Sequence, residues 1–133
     1  MESIFRSIVF FTAVTTIVFW SIPYFDYAWL SEEQMGLLDQ SGYGAYVQGS
    51  DLIYWGTLAI WLAISAGLFC FVPIAKVAFI AFYALSFITT PLYGIQVLTG
   101  YEMLMSNLLG LADGIIVSML LFTSVGSRFA KSS

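Results

Sequence analysis

Four long apolar stretches leave this chain of 133 residues very few ways to fold. They cover about residues 7–25, 52–72, 77–98 and 102–124. A helix needs about 20 mostly apolar residues to cross the hydrocarbon core of a bilayer, so each stretch is long enough for one span. The sequence predicts an all-α fold, a four-helix transmembrane bundle that forms one integral membrane domain over residues 1–133. The lipid bilayer is its predicted surrounding partner.

Composition agrees with this prediction and excludes several classes of protein. The chain is 60% hydrophobic and 9% charged, whereas soluble domains carry about 25% charged residues. Its four basic residues and net charge of −4 argue against nucleic acid as a partner. Histidine is absent and Cys70 is the single cysteine, so the sequence provides no internal disulfide, no zinc ligand set and no Cys/His catalysis. No metal and no cofactor are predicted.

The basic residues indicate how the chain crosses the membrane. With four spans, both termini and the turn between the second and third spans lie on one side, and that side holds every Lys and Arg: Arg6, Lys76, Arg128 and Lys131. The other side holds acidic residues and no basic one: Asp26, Glu32, Glu33, Asp39, Asp51 and Glu102. The positive-inside rule then predicts that both termini are cytoplasmic. We expect a bacterial inner membrane protein.

The loop of residues 26–50 is the only sizeable segment outside the spans. Ser31 and Gln34 have the spacing of a capping box, which predicts a short interfacial helix on the extracytoplasmic side. The favoured interpretation is a connector that follows the membrane surface, and the alternative is a lid or docking surface. The loop is acidic, but no D-x-D-x-D-G pattern of a calcium site occurs in it.

Two prolines lie in or near the predicted third span. Pro73 lies in the short turn after the second span, where its ring is expected to stop that helix. Pro91 falls inside the predicted third span, next to Thr89 and Thr90, and predicts a kink there.

Small residues recur at four-residue spacing on two of the spans. The fourth span carries Ser106, Gly110, Gly114 and Ser118, and the second carries Ala59, Ala63 and Gly67. Membrane helices associate through close backbone approach across such residues, because apolar side chains gain little by leaving lipid. The favoured prediction packs these two stripes against each other within one chain. The alternative packs the fourth span against the same helix of a second copy, in a homo-oligomer.

Asp113 is the one carboxylate that the pattern places deep in the membrane. It lies about 17 Å from Glu102 and about 22 Å from Arg128 along the helix. A charge at that depth costs roughly 2.5–3.5 kcal/mol on insertion scales and usually faces the bundle interior. No Lys, Arg or His is expected at that level. The side chain is therefore either protonated, or it binds a cation or a charge of a partner subunit.

Other polar side chains are predicted near the level of Asp113. Counting from the helix ends places Thr89, Thr90 and Trp61 at this level, Thr15 and Thr16 somewhat inward, and Asn107 two turns outward. One interpretation is a structural hydrogen-bond network around a neutral Asp113, and this one is favoured. The other is a proton- or ion-binding site lined by Asp113, Thr89, Thr90 and Asn107.

The fourth span, together with the residues that follow it to Phe129, carries a recognisable pattern. Leu111, Asp113, Gly114 and Ile116 form an L-x-D-G-x-I-like run, followed by a short basic tail. In this respect the chain is similar to uncharacterised small four-span bacterial inner-membrane proteins. The resemblance covers about a fifth of the chain and implies no activity.

An enzyme is not predicted, because general acid–base catalysis needs a positioned pair of groups and only one carboxylate lies in the membrane. No P-loop, H-E-x-x-H or nucleophile-elbow pattern occurs. Three functions stay open. The favoured one is a non-enzymatic accessory or interaction protein assembled by helix packing. The second is a small oligomeric ion channel or proton-coupled transporter that uses Asp113. The third, by analogy of size and topology alone, is an immunity-type protein against a pore-forming toxin.

Overall fold

A computed structural model describes residues 1–130 of the chain, and Lys131 lies outside the described residues. Its α-helices are α1 (Glu2–Trp29), α2 (Glu32–Leu38), α3 (Asp51–Phe69), α4 (Pro73–Thr89) and α5 (Gly100–Phe122). Two 3₁₀ segments follow α4 and α5, at Thr90–Tyr93 and Ser124–Phe129. Four of the helices are long and apolar enough to cross a membrane. The predicted all-α, four-helix fold is confirmed, and the chain is an integral membrane protein.

Capping boxes start two of the helices. Ser31 Oγ accepts from the Gln34 backbone N–H at 3.3 Å, and Gln34 Oε1 accepts from the Ser31 N–H at 3.0 Å. The short helix α2 therefore begins where the sequence predicts. The same reciprocal pairing of Thr99 and Glu102 starts α5. Each box satisfies N–H groups that a helix start otherwise leaves without partners.

The hairpin of α3 and α4 differs from its prediction. Pro73 does not end the second span; it is the first residue of α4. Proline suits this position because the first helical N–H has no intrahelical acceptor anyway. The turn between α3 and α4 therefore comes before Pro73 in the sequence, rather than at residues 73–76 as predicted. Phe71 adopts φ 56° within it. A Cβ atom added at Gly67 would lie 2.7 Å from Ala75 Cβ. The glycine is thus needed where the two helices approach closely.

The third span begins and ends earlier than predicted, since it covers Pro73–Tyr93 rather than residues 77–98. Residues 77–98 do not form one kinked helix, since α4 ends at Thr89 and a 3₁₀ turn holds Pro91. The proline ring cannot continue the α-helical hydrogen bonding, so the helix stops rather than bends. Gly94 then adopts φ 71° and turns the chain back. Ile95 forms a bridge with Tyr43, which ties this segment to the loop before α3.

Helix α1 lies at the centre of the arrangement. It packs along both α3 and α5, and α3 packs along α4, whereas α4 and α5 make limited contact. Both described termini lie at one end of the bundle, where Arg128 Nε contacts Glu2 Oε1 at 2.5 Å. We call this the terminal end and the opposite end, with α2, the loop end. Much of the buried core lies towards the terminal end: Phe5, Val9, Leu68, Phe79, Ile116, Leu120 and Phe129.

Gly94→Ala is expected to destabilise the protein by about 1–3 kcal/mol, because only glycine adopts its backbone conformation readily. The new Cβ would also collide with the Tyr43 carbonyl oxygen and lie 2.6 Å from the Ala45 nitrogen. Unfolding in mixed micelles measures the loss. Gly49→Ala is the matched control, since nothing lies within 4 Å of a Cβ there. Equal losses in both variants would contradict a specific role of Gly94.

Candidate functional site

Asp113 is buried inside the bundle. Only 8% of its surface is exposed, and it shares the inward face of α5 with Ala112, Ile116 and Leu120. Its Oδ1 atom has no hydrogen-bond partner among residues 1–130. A buried polar atom without a partner costs about 1–3 kcal/mol. The structure therefore holds the carboxyl group in the interior without the hydrogen bond that would offset this cost.

Three threonines of α1 are buried as well: Thr12, Thr15 and Thr16. The Thr16 hydroxyl donates to the Thr12 carbonyl oxygen at 2.8 Å, a bond within its own helix. Thr12 Oγ1, in contrast, is the second buried side-chain oxygen that lacks a partner in the described part of the chain. A hydroxyl group both donates and accepts, so it complements a carboxyl group in either protonation state.

Contacts at both ends fix the antiparallel register of α1 and α5. At the loop end the Tyr101 hydroxyl donates to Asp26 Oδ1, and at the terminal end the rings of Phe5 and Phe129 lie 6.0 Å apart. At 1.5 Å per residue, Asp113 lies about 18 Å from Tyr101 along α5. The threonines of α1 lie about 15–21 Å from Asp26 by the same rule. We call these four residues, Asp113, Thr12, Thr15 and Thr16, the polar layer.

The structure does not bring Thr89 and Thr90 to the level of Asp113. Tyr83 marks that level on α4, because its hydroxyl donates to the Gly110 carbonyl oxygen at 3.5 Å. Thr89 lies about 9 Å further towards the loop end. Both threonine hydroxyls donate to carbonyl oxygens of α4, as with Thr89 and Leu85 at 2.9 Å. The earlier start of α4 accounts for the displacement.

Asn107 and Trp61 also lie apart from the carboxyl group of Asp113. Asn107 is exposed on α5. Trp61 has the predicted depth, but its ring packs edge-on against Phe79 at 5.3 Å and Phe82 at 5.2 Å, towards α4. Of the five predicted site residues, the structure buries only Asp113. The sequence placed Thr15 and Thr16 of α1 somewhat inward of Asp113. It did not single out Thr12, although Thr12 lies one helical turn before Thr16 and therefore on the same face of α1.

Three of the four residues of the small-residue stripe of α5 are exposed. Ser106, Gly110 and Ser118 are exposed, and Gly114 is half-buried beside the Tyr83 hydroxyl. Nothing lies within 4 Å of a Cβ atom built at Gly110. The packing predicted between this stripe and the second span is absent from residues 1–130, where α5 packs chiefly on α1. Larger side chains on its other face fill the core and gain more dispersion energy there.

The second stripe has a different role from the one predicted. Ala59 and Ala63 are exposed on α3. Only Gly67 lies at a close contact, and its neighbour is Ala75 of α4 rather than a residue of α5. Small residues at four-residue spacing identify a face that permits close approach, but they do not identify the helix that approaches it.

Within residues 1–130 no group of three or more His, Cys, Asp or Glu side chains is placed to hold a metal ion. No protein-family model, no curated protein and no solved structure matches the chain. The resemblance carried by Leu111, Asp113, Gly114 and Ile116 therefore stays a prediction. The polar layer holds an unpartnered carboxyl oxygen, Asp113 Oδ1, and an unpartnered hydroxyl oxygen, Thr12 Oγ1, at a similar depth. Such groups can take up a proton, a water molecule or a cation.

Asp113→Ala is expected to raise the free energy of unfolding by about 1–3 kcal/mol, because it removes a buried oxygen that has no partner. Asp26→Ala is the matched comparison, since Asp26 is also buried but accepts a hydrogen bond from Tyr101. It should lower stability by about 0.5–1.5 kcal/mol. Unfolding in mixed detergent micelles measures both. A loss of stability in Asp113→Ala equal to that in Asp26→Ala would show that Asp113 has a partner after all.

Proposed function

We propose that the protein is a non-enzymatic accessory protein of the membrane that assembles with another transmembrane helix through the outward face of α5. The observation that carries this proposal is the exposure of Ser106, Gly110 and Ser118. We call these three residues the α5 stripe. Nothing in the described chain lies within 4 Å of a Cβ atom built at Gly110, although the Tyr83 hydroxyl reaches its carbonyl oxygen. A row of small residues on a membrane helix is useful chiefly where another backbone comes close.

The remaining helix contacts support this choice of face. Helix α5 uses its large apolar residues against α1 and makes limited contact with α4. The α5 stripe thus remains available to a helix outside the bundle. Two kinds of partner fit it: a second copy of this chain, which would present the same stripe across a two-fold axis, and a helix of a different membrane protein.

The orientation forms part of the proposal. The terminal end carries Arg6, Lys76 and Arg128, and the acidic residues at the interfaces cluster at the loop end, except Glu2. The positive-inside rule favours a cytoplasmic terminal end in a bacterial inner membrane, with N-in and C-in topology. The α5 stripe would then lie in the hydrocarbon region, where polar interactions with water do not compete with helix packing.

Disulfide crosslinking in membranes tests the assembly. In a Cys70→Ser background, Gly110→Cys should form a covalent dimer on mild oxidation if the partner is a second copy. Leu111→Cys is the matched control, because Leu111 has the same depth, is 64% exposed, and points in another direction. Adding Gly110→Leu to a Ser106→Cys variant should weaken the association by about tenfold, the equivalent of about 1.4 kcal/mol.

A different membrane protein as partner gives a different pattern. A photocrosslinking amino acid at position 110 should then capture one discrete membrane protein, and the same group at position 111 should not. Equal crosslinking from positions 110 and 111, to any protein, would contradict assembly through the α5 stripe.

Movement of protons or ions through Asp113 is the second candidate function. The observation that favours it is the pair of unpartnered oxygens, Asp113 Oδ1 and Thr12 Oγ1, at one depth. Intramembrane carboxyl groups commonly mark such pathways. Proteoliposomes should show proton or ion flux that Asp113→Asn and Thr12→Val each reduce by about tenfold or more. Asp51→Asn, exposed at the loop end, is the control. Flux that is absent, or equal in all variants, would remove this candidate.

A further inference from the structure

A cavity of about 380 Å³ opens at the loop end of the bundle. It lies between α1, the start of α3, the start of α5 and the short helix α2. Its walls combine aromatic rings with carboxyl groups, notably those of Trp20, Tyr27, Tyr54, Asp26, Asp39 and Glu102. Neither the α5 stripe nor the polar layer contributes to it.

The aromatic wall is held in place by a reciprocal pair of hydrogen bonds. Trp20 Nε1 donates to the Tyr54 carbonyl oxygen at 3.2 Å, and the Tyr54 hydroxyl donates to the Trp20 carbonyl oxygen at 2.5 Å. Their ring centroids lie 5.9 Å apart. Because these hydrogen bonds fix both rings, a ligand in the cavity meets a pre-formed aromatic surface. Binding therefore loses little side-chain conformational entropy.

Two carboxyl groups of the cavity, those of Asp26 and Glu102, are held by hydrogen-bond donors but carry no counter-charge. Asp26 is only 3% exposed, and one of its oxygens accepts from the Tyr101 hydroxyl. Glu102 Oε2 accepts from the Thr99 backbone N–H at 2.6 Å. A buried carboxylate is strongly favoured by a nearby cation. These hydrogen bonds position the two groups and leave their negative charge to be balanced.

No basic residue of the described chain provides that balance. Arg6 Nε donates to the Phe69 carbonyl oxygen at 3.2 Å, and Lys76 Nζ donates to that of Gly126 at 3.4 Å. Arg128 pairs with Glu2. All three are thus engaged at the terminal end, a bundle length away from the cavity. The cation that the cavity favours must come from outside residues 1–130.

We propose that the cavity binds an organic ammonium group. Aromatic faces attract such cations, and the attraction is stronger where water is excluded. A bare metal ion fits less well, because no three acidic side chains within residues 1–130 converge closely enough to ligate one. An ammonium ion with carbon substituents is large enough to contact the aromatic rings and the carboxyl groups of the cavity at the same time. A free organic cation and the headgroup of an aminophospholipid share this chemistry.

Choline and its neutral isostere 3,3-dimethyl-1-butanol are the probes that isolate the charge. Calorimetric titration of the full-length protein in dodecyl maltoside, a neutral detergent, should show choline binding at least about tenfold more tightly than the isostere. Asp26→Asn and Glu102→Gln should each weaken choline binding by about tenfold. Added salt should weaken it in the native protein, because exposed parts of the charge are screened.

The substitutions preserve the local structure. Asn keeps an oxygen for the Tyr101 hydroxyl, and Gln at a capping-box position replaces Glu without loss of the motif. Glu33→Gln is the matched control, because Glu33 is exposed on α2 and does not line the cavity. It should leave choline binding unchanged. If Asp26→Asn fails to fold, as judged by its helical circular dichroism, Glu102→Gln alone decides.

Native mass spectrometry distinguishes the two sources of the ammonium group. Preferential retention of phosphatidylethanolamine over phosphatidylglycerol, lost in Asp26→Asn, would identify a headgroup even if choline fails to bind. Choline binding without this lipid preference would identify a free cation. The proposal is overturned if neither choline nor phosphatidylethanolamine binds preferentially, if the neutral isostere binds as well as choline, or if Asp26→Asn and Glu102→Gln leave binding unchanged. Gly110→Leu should not affect any of these measurements.

Discussion

The packing of α1 against both α3 and α5 determines where the other helices lie. In a bilayer each helix satisfies its own backbone, so only side-chain contacts decide which helices become neighbours. Contacts at the loop end hold the two pairs: the Tyr101 hydroxyl donates to Asp26, and Trp20 exchanges hydrogen bonds with Tyr54. Helix α4 then joins through α3. Its limited contact with α5 is a consequence of this order, and it leaves one side of α5 uncovered.

The number and type of the elements could be predicted because each depends on local physical chemistry. Apolar length specified four membrane-spanning helices, and the capping box at Ser31 specified α2. The prolines were harder to interpret. Pro73 and Pro91 each forbid helix continuation on their N-terminal side, but the ring is equally compatible with a helix start, a kink or a stop. Which of these occurs depends on the tertiary contacts of the flanking turn.

Neighbour relations and depth were the part that sequence did not determine. A stripe such as that around Gly110 shows that one face of a helix carries small side chains, but it does not show which helix packs against that face. Depth was counted from predicted helix ends, so the early start of α4 at Pro73 displaced Thr89 and Thr90 from the level of Asp113. Asp113 itself could be singled out, because the cost of a carboxyl group in lipid does not depend on its neighbours. Which residues of α1 lie at the same depth as Asp113 could not be predicted, because this depends on the register of α1 against α5.

Charge is distributed along the bundle in a way that separates two kinds of surface. At the terminal end each described basic residue has a local partner, and Arg6 also lies 5.0 Å from the Phe71 ring. At the loop end Asp26 and Glu102 have hydrogen-bond donors but no cation. A hydrogen bond from a neutral donor stabilises a carboxylate without cancelling its field. The loop end therefore keeps a negative potential beside an aromatic surface. A ligand that suits both features has a positive charge, which pairs with the carboxylates, and apolar substituents, which pack against the rings.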